Sequence, residues 1–128
     1  MTIAEYCLFA AVLLYLAPIG WAKGSGAAEY KNGSPRDPEF YQEPRRARAL
    51  GAHQNGLESF PFFLGAVLLA EFRDVPQMRI DALAATFIVV RLAYILAYVS
   101  DRPSLRTLVW GLGFALTTAI FFLPALHH

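Results

Sequence analysis

The stretch Tyr6 to Ala22, YCLFAAVLLYLAPIGWA, runs for 17 residues between Glu5 and Lys23 without a formal charge. A helix crossing the hydrocarbon core of a bilayer needs roughly 20 predominantly apolar residues, with a range of about 17 to 25. Residues 3–21 therefore read as a membrane span. They lack the positive n-region and the small-x-small site of a cleaved signal, so the expectation is that the span is retained. At the other end, Thr107 to His128 contains no acidic or basic residue apart from His127 and His128. Residues 104–126 read as a further span, with Ser104 as its N-cap. Two less clean segments lie between. Residues 48–71 join a polar half carrying His53, Gln54, Asn55 and Glu58 to an apolar half, Phe60 to Ala70. Residues 80–100 are apolar except for Asp81 and Arg91. The expected fold is an all-α membrane protein, a single four-helix transmembrane domain over residues 1–128.

Composition agrees. Of 128 residues, 56% are hydrophobic and 16% charged, against about 25% charged in an average soluble domain. The mean hydropathy is +0.40. An ordinary soluble enzyme is excluded, and sustained strand-period alternation, the mark of a membrane β-barrel, is missing. A net charge of +1 without a basic cluster argues against nucleic acid as a partner. Cys7 is the single cysteine; it cannot form an internal disulfide and reads as a packing residue. No metal site is expected.

The connections are a long polar loop over residues 22–47, rich in Gly, Pro and charge, a short turn over 72–79 containing Pro76, and a tight one over 101–104. The basic residues distribute unevenly between the two membrane sides. Lys23, Lys31, Arg36, Arg45, Arg46, Arg48, Arg102 and Arg106 fall on the side of the first and third loops, while Arg73 and Arg79 fall on the other. The positive-inside rule then places the first and third loops in the cytoplasm and both termini outside it.

A charged residue within a span costs about 2.5–3.5 kcal/mol on insertion scales and usually faces a bundle interior or a wet cavity. Arg48 and Asn55 are seven apart on the second span, within about 20° of each other on a helix, and Glu58 follows Asn55 by three. On the third span, Arg91, Tyr94 and Tyr98 share one face. Arg106 opens the fourth. One reading is structural, with Glu58 and Arg91 forming a buried ion pair and the tyrosines an aromatic belt. The other is a pocket for a polar, anionic ligand at the cytoplasmic half, for which arginine's planar fork is suited. His53 reads as an interfacial polar contact, and nothing is assigned to His127 or His128.

Three segments carry a resemblance. Ala52-His53-Gln54-Asn55-Gly56-Leu57-Glu58-Ser59-Phe60-Pro61 resembles the A-x-x-N-x-x-E-x-x-P signature of the MAPEG family, membrane-associated proteins in eicosanoid and glutathione metabolism. Arg91-x-x-Tyr94-x-x-x-Tyr98 is similar to the family's third-helix pattern, and Arg102-Pro103-Ser104-Leu105-Arg106-Thr107 to the turn that opens its fourth helix. Tyr30 to Arg36 looks like a loop found in bacterial members.

The resemblance implies a homotrimer of four-helix protomers in a bacterial inner membrane, with sites between subunits near the cytoplasmic face. It implies a glutathione-dependent transferase or peroxidase acting on small apolar electrophiles or lipid hydroperoxides. Glutathione would be the co-substrate, bound by Arg48, Asn55, Glu58, Arg91, Tyr94 and Tyr98, with Arg106 as the catalytic residue that stabilises its thiolate. Many glutathione-using members carry an arginine four residues before the asparagine; that position is Gly51 here. Arg48, or Arg36 or Arg45 from the loop, is the candidate replacement. Position 59 is Ser where some members carry Tyr. The competing expectation is a non-catalytic trimer of the same fold that binds a lipid or another anionic metabolite.

Overall fold

The computed structural model describes residues 1–127; His128 lies outside the described residues. The chain forms four helices: α1 over Ile3–Ser25, α2 over Pro44–Phe72, α3 over Gln77–Val99 and α4 over Pro103–His127, with a short 3-10 turn at Phe40–Gln42 before α2. α1, α3 and α4 are each long and apolar enough to cross a membrane. α2 is the longest, at 29 residues, but its first half carries three arginines, Arg45, Arg46 and Arg48. It runs antiparallel beside α1 along its whole length. Arg46 near its start bonds Glu29 just beyond the end of α1, and Glu71 near its end accepts from Thr2 at the beginning of α1.

Local chemistry sets the helix ends. At the start of α1, Thr2 and Glu5 form a reciprocal capping box. Glu43 caps α2 by accepting from the Arg46 backbone N–H at 3.0 Å, with Pro44 in the first turn. The Arg45 backbone N–H, then that of Arg46 and the two guanidinium charges, hold the Glu43 carboxyl below the usual carboxylate range. α4 begins one residue earlier than the expected Ser104 cap. Pro103 occupies its first position and the Arg102 carbonyl accepts from Arg106 N at 2.9 Å, because proline's fixed φ suits the first helical residue. α2 and α3 both end on an aspartate in the left-handed region, Asp74 at φ 56° and Asp101 at φ 59°. Each is followed by a backbone bond that closes the turn, Val75 N to Ala70 O and Arg102 N to Ala97 O.

The core is built largely from alanine. Ala4, Ala66, Ala70 and Ala84 are fully buried around Phe63 and Phe87, whose rings stack at 4.0 Å. Large apolar residues such as Phe9, Leu13, Leu96, Leu108 and Phe122 face outward. Small residues inside let helices approach closely, and the outward apolar surface matches lipid rather than water.

Both ends of the bundle are tied by polar groups. At the end holding the termini, Asp81 of α3 accepts from the Ala4 N–H at 2.9 Å, and Gln77 bridges Asp81 and Glu71 at 2.8 and 3.2 Å. A carboxylate here also meets the positive end of the α1 dipole. At the other end, the expected polar loop is partly ordered into helix, with α1 extending to Ser25 and α2 beginning at Pro44. Arg46 fastens it by an ion pair to Glu29 at 3.0 Å and by lying over the Phe40 ring at 4.5 Å. Phe40, Tyr41, Ala22 and Ala49 form a second buried cluster there.

Candidate functional site

α2 and α3 cross near the loop end through small residues; Ala52 is fully buried and Ala97 nearly so. Gly51 lies at this crossing, and a Cβ added there would come within 2.6 Å of Tyr98 Cζ and nearer still to its hydroxyl. One turn back on α2, Arg48 Nε donates to the Val99 carbonyl at 3.3 Å. This bond ties Arg48 to the α3 backbone through one of its guanidinium nitrogens.

Five of the other six candidate residues, Asn55, Arg91, Tyr94, Tyr98 and Arg106, form a continuous chain of contacts. Arg91, 6% exposed, donates from Nη1 to Asn55 Oδ1 at 2.9 Å. Its guanidinium carbon lies 4.2 Å from the centroid of the Tyr94 ring. Tyr94 meets Tyr98 edge-on, with centroids 5.8 Å apart. Tyr98 in turn carries Arg106, whose guanidinium carbon is 4.6 Å from the ring centroid. Two cations thus flank two phenol rings along the α3 face, a contact type worth about 0.5–2 kcal/mol each depending on desolvation.

Glu58 does not join Arg91. Its side chain is exposed on the protomer, and among the described residues the ion pairs are Arg45 with Glu43 and Arg46 with Glu29. The structural reading of a Glu58–Arg91 pair is set aside in favour of a neutral partner, Asn55. Instead, Asn55, Glu58 and Arg91 open on a cavity of about 230 Å³ between α2, α3 and α4. Its lining also includes the rings of Phe62, Phe87, Trp110 and Phe114 and the hydroxyls of Ser59 and Thr117, with Trp110 and Phe114 stacked at 5.6 Å. The cavity combines charged, polar and aromatic groups, so it can hold an amphipathic molecule with its anionic part on Arg91.

The matching segment over nearly the whole chain decides the affiliation: residues 3–126 fit the model of the MAPEG family. The chain belongs to the MAPEG family. Searches of curated proteins and of solved structures return no match. MAPEG membership together with three membrane-crossing helices makes this an integral membrane protein.

Within this MAPEG chain the loop arginines lie elsewhere. Arg36 lines a separate groove of about 820 Å³ between α1, α2 and the loop, with Lys23, His53 and Gln54. Arg45 is at the protein surface beside Glu43, 3.7 Å away. Within one protomer, neither lines the cavity shared by Asn55, Glu58 and Arg91. His53 bonds the Tyr15 carbonyl from Nδ1 at 2.5 Å, a contact between α2 and α1. No group of three or more His, Cys, Asp or Glu suited to a metal occurs among the described residues.

The aromatic lining was not anticipated. Its signal was present: Asn55, Glu58 and Phe62 recur at i, i+3 and i+7, and Trp110, Gly113, Phe114 and Thr117 recur likewise on α4. What spacing does not carry is that these two faces oppose each other.

Proposed function

We propose that the chain is a membrane-bound glutathione-dependent transferase or peroxidase of bacterial-inner-membrane type. Its substrates are small apolar electrophiles or lipid hydroperoxides dissolved in the bilayer. The observation that supports it most is the unbroken contact chain Asn55–Arg91–Tyr94–Tyr98–Arg106, which brings five of the seven candidate residues into one stripe. The protein works as a homotrimer, with α2 as the fourth crossing, the loop end in the cytoplasm and both termini outside.

Asn55, Glu58 and Arg91 hold the peptide part of glutathione where they line the 230 Å³ cavity: Glu58 accepts from an ammonium or amide N–H, and Arg91 donates to a carboxylate. Arg106 faces the thiol. A free thiol titrates near 8.5, and an adjacent guanidinium lowers that value and raises the thiolate fraction. In conjugation, the thiolate sulfur bonds to an electrophilic carbon of the lipid-borne acceptor, and either a leaving group departs from that carbon with its bonding pair or an activated double bond opens and its other end takes up a proton. In peroxide reduction, it takes the terminal oxygen of the hydroperoxide and releases the alcohol after proton uptake. A second glutathione then condenses with the sulfenic acid to give the disulfide and water. In both, holding the thiolate beside the acceptor supplies most of the rate gain. With Gly51 in place of an arginine, Arg36 reaches the site only across a subunit boundary, since on its own protomer it lines the α1–α2 groove.

Titration of the purified detergent-solubilised protein with glutathione, followed by thiolate absorbance in the near ultraviolet, tests the reading. The expected result is saturable thiolate formation, and no binding at millimolar glutathione overturns it. Arg106→Ala is expected to retain the ligand while losing the thiolate band. An unchanged band assigns the role to another cation. Binding of a fatty acid but not of glutathione would favour a non-catalytic lipid-binding trimer.

A further inference from the structure

Glycine is the poorest helix former after proline, so one placed inside a packed helix asks for a reason. α2 holds three, at 51, 56 and 65. Gly65 faces open space, with nothing within 4 Å of an added Cβ. Gly51 is different, because the volume a methyl group would need is already filled by the Tyr98 ring, with Cζ at 2.6 Å, Cε1 at 3.2 Å and the hydroxyl closer than either. Separations under about 3 Å are not tolerated, so the ring would have to move.

The backbone has little room to move in its place. Arg48, one turn away, ties α2 to the Val99 carbonyl beside Tyr98 at 3.3 Å. The ring's other contacts are the edge of Tyr94 and the guanidinium of Arg106 at 4.6 Å. Among the described residues, Arg106 donates no side-chain hydrogen bond and forms no ion pair, so the Tyr98 face is what locates its charge.

We propose that Gly51 is a positioning residue for Arg106, acting through Tyr98: its missing side chain leaves the pocket in which the Tyr98 ring is seated, and the seated ring holds the Arg106 guanidinium. The effect on thiolate chemistry rests on the glutathione reading above, whereas the coupling of the three residues does not. A larger side chain at 51 displaces the ring and with it the cation, although the atoms nearest position 51 belong to Tyr98 and not to Arg106.

A double-mutant cycle on the intact detergent-solubilised protein tests this. Gly51→Ala, Tyr98→Ala and the double variant are compared with wild type and with Gly65→Ala as a helix control. Two readouts are used. Mass spectrometry follows the rate at which an arginine-selective dicarbonyl reagent modifies Arg106, with buried Arg91 as an internal standard, in protein without glutathione. The pH midpoint of the glutathione thiolate band is the second. Gly51→Ala is expected to raise Arg106 labelling roughly three- to tenfold, the size set by loss of one cation–π contact, and to move the thiolate midpoint upward. Arg91 labelling and Gly65→Ala stay at the wild-type values. Tyr98→Ala gives the same increase, and adding Gly51→Ala to it changes nothing further. Wild-type Arg106 labelling in Gly51→Ala overturns the proposal, as does an equal additional effect in the Tyr98→Ala background. If wild type forms no thiolate, the glutathione reading fails while the labelling arm still decides the coupling. If Gly51→Ala alone fails to assemble, recovery of assembly in the double variant supports the clash and failure to recover overturns it.

Discussion

Arg91 is bonded to an amide, not a carboxylate, and that choice governs the charge of the site. An Asn55 partner satisfies one donor while leaving the positive charge uncompensated at the cavity wall. A carboxylate there would neutralise it. Two substitutions separate these effects. Asn55→Ala leaves a nearly buried guanidinium short of an acceptor, which costs about 1–3 kcal/mol, and it is expected to lower thermal stability in detergent. Asn55→Asp keeps the acceptor and adds an opposite charge, so stability is expected to hold or rise while glutathione affinity falls at least tenfold. Thermal aggregation assays with and without glutathione read both. Undiminished glutathione binding in Asn55→Asp would mean that Arg91's charge is not what the ligand meets.

At the scale of elements, close approach of backbones is the organising device. A Cβ on Gly56 would lie 3.2 Å from Tyr15 Cα and closer still to its Cβ. Backbone cannot yield as the end of a side chain can, so Gly56→Ala is expected to push α1 from α2 and lower stability by about 1–3 kcal/mol. Gly65→Ala, facing open space, is expected to be neutral or stabilising by up to about 1 kcal/mol, as a better helix former. Comparable melting temperatures for the two variants would remove the close-packing account. The same device explains what could be read in advance. Charge-free runs reveal helices and their number because the period and length of apolar residues act locally. The Arg91–Tyr94–Tyr98 face was legible for the same reason. Which of Asn55 and Glu58 meets Arg91 was not, since both lie on one helix face three residues apart and relative depth decides. Gly51 looked like a lost arginine; only the crossing of α3 shows it as room for Tyr98. The roles of Arg46 and Asp81 likewise depend on partners 17 and 77 residues away.

For the whole molecule, the central question is what covers Glu58. It is the middle residue of α2, which runs from Pro44 to Phe72, and its carboxylate is exposed on the protomer with no hydrogen bond or ion pair among the described residues. In a bilayer this position lies at depth beside membrane-crossing α1, where an unshielded acid carries a cost of about 2.5–3.5 kcal/mol. Gln54 and Leu57 are exposed on the same helix, so the uncovered surface mixes polar and apolar groups, which suits protein better than lipid. In the homotrimer proposed above, a second copy of the chain supplies that cover, and Lys23 and Arg36 in the α1–α2 groove give it a positive rim. The protein is therefore expected to behave as three protomers when its mass is measured by light scattering with the detergent contribution subtracted. Glu58→Gln, which removes the charge but keeps an acceptor, is expected to leave that mass unchanged while weakening glutathione binding several-fold. A folded, long-lived monomer would leave Glu58 in lipid and contradict both the assembly and the placement of the site between subunits.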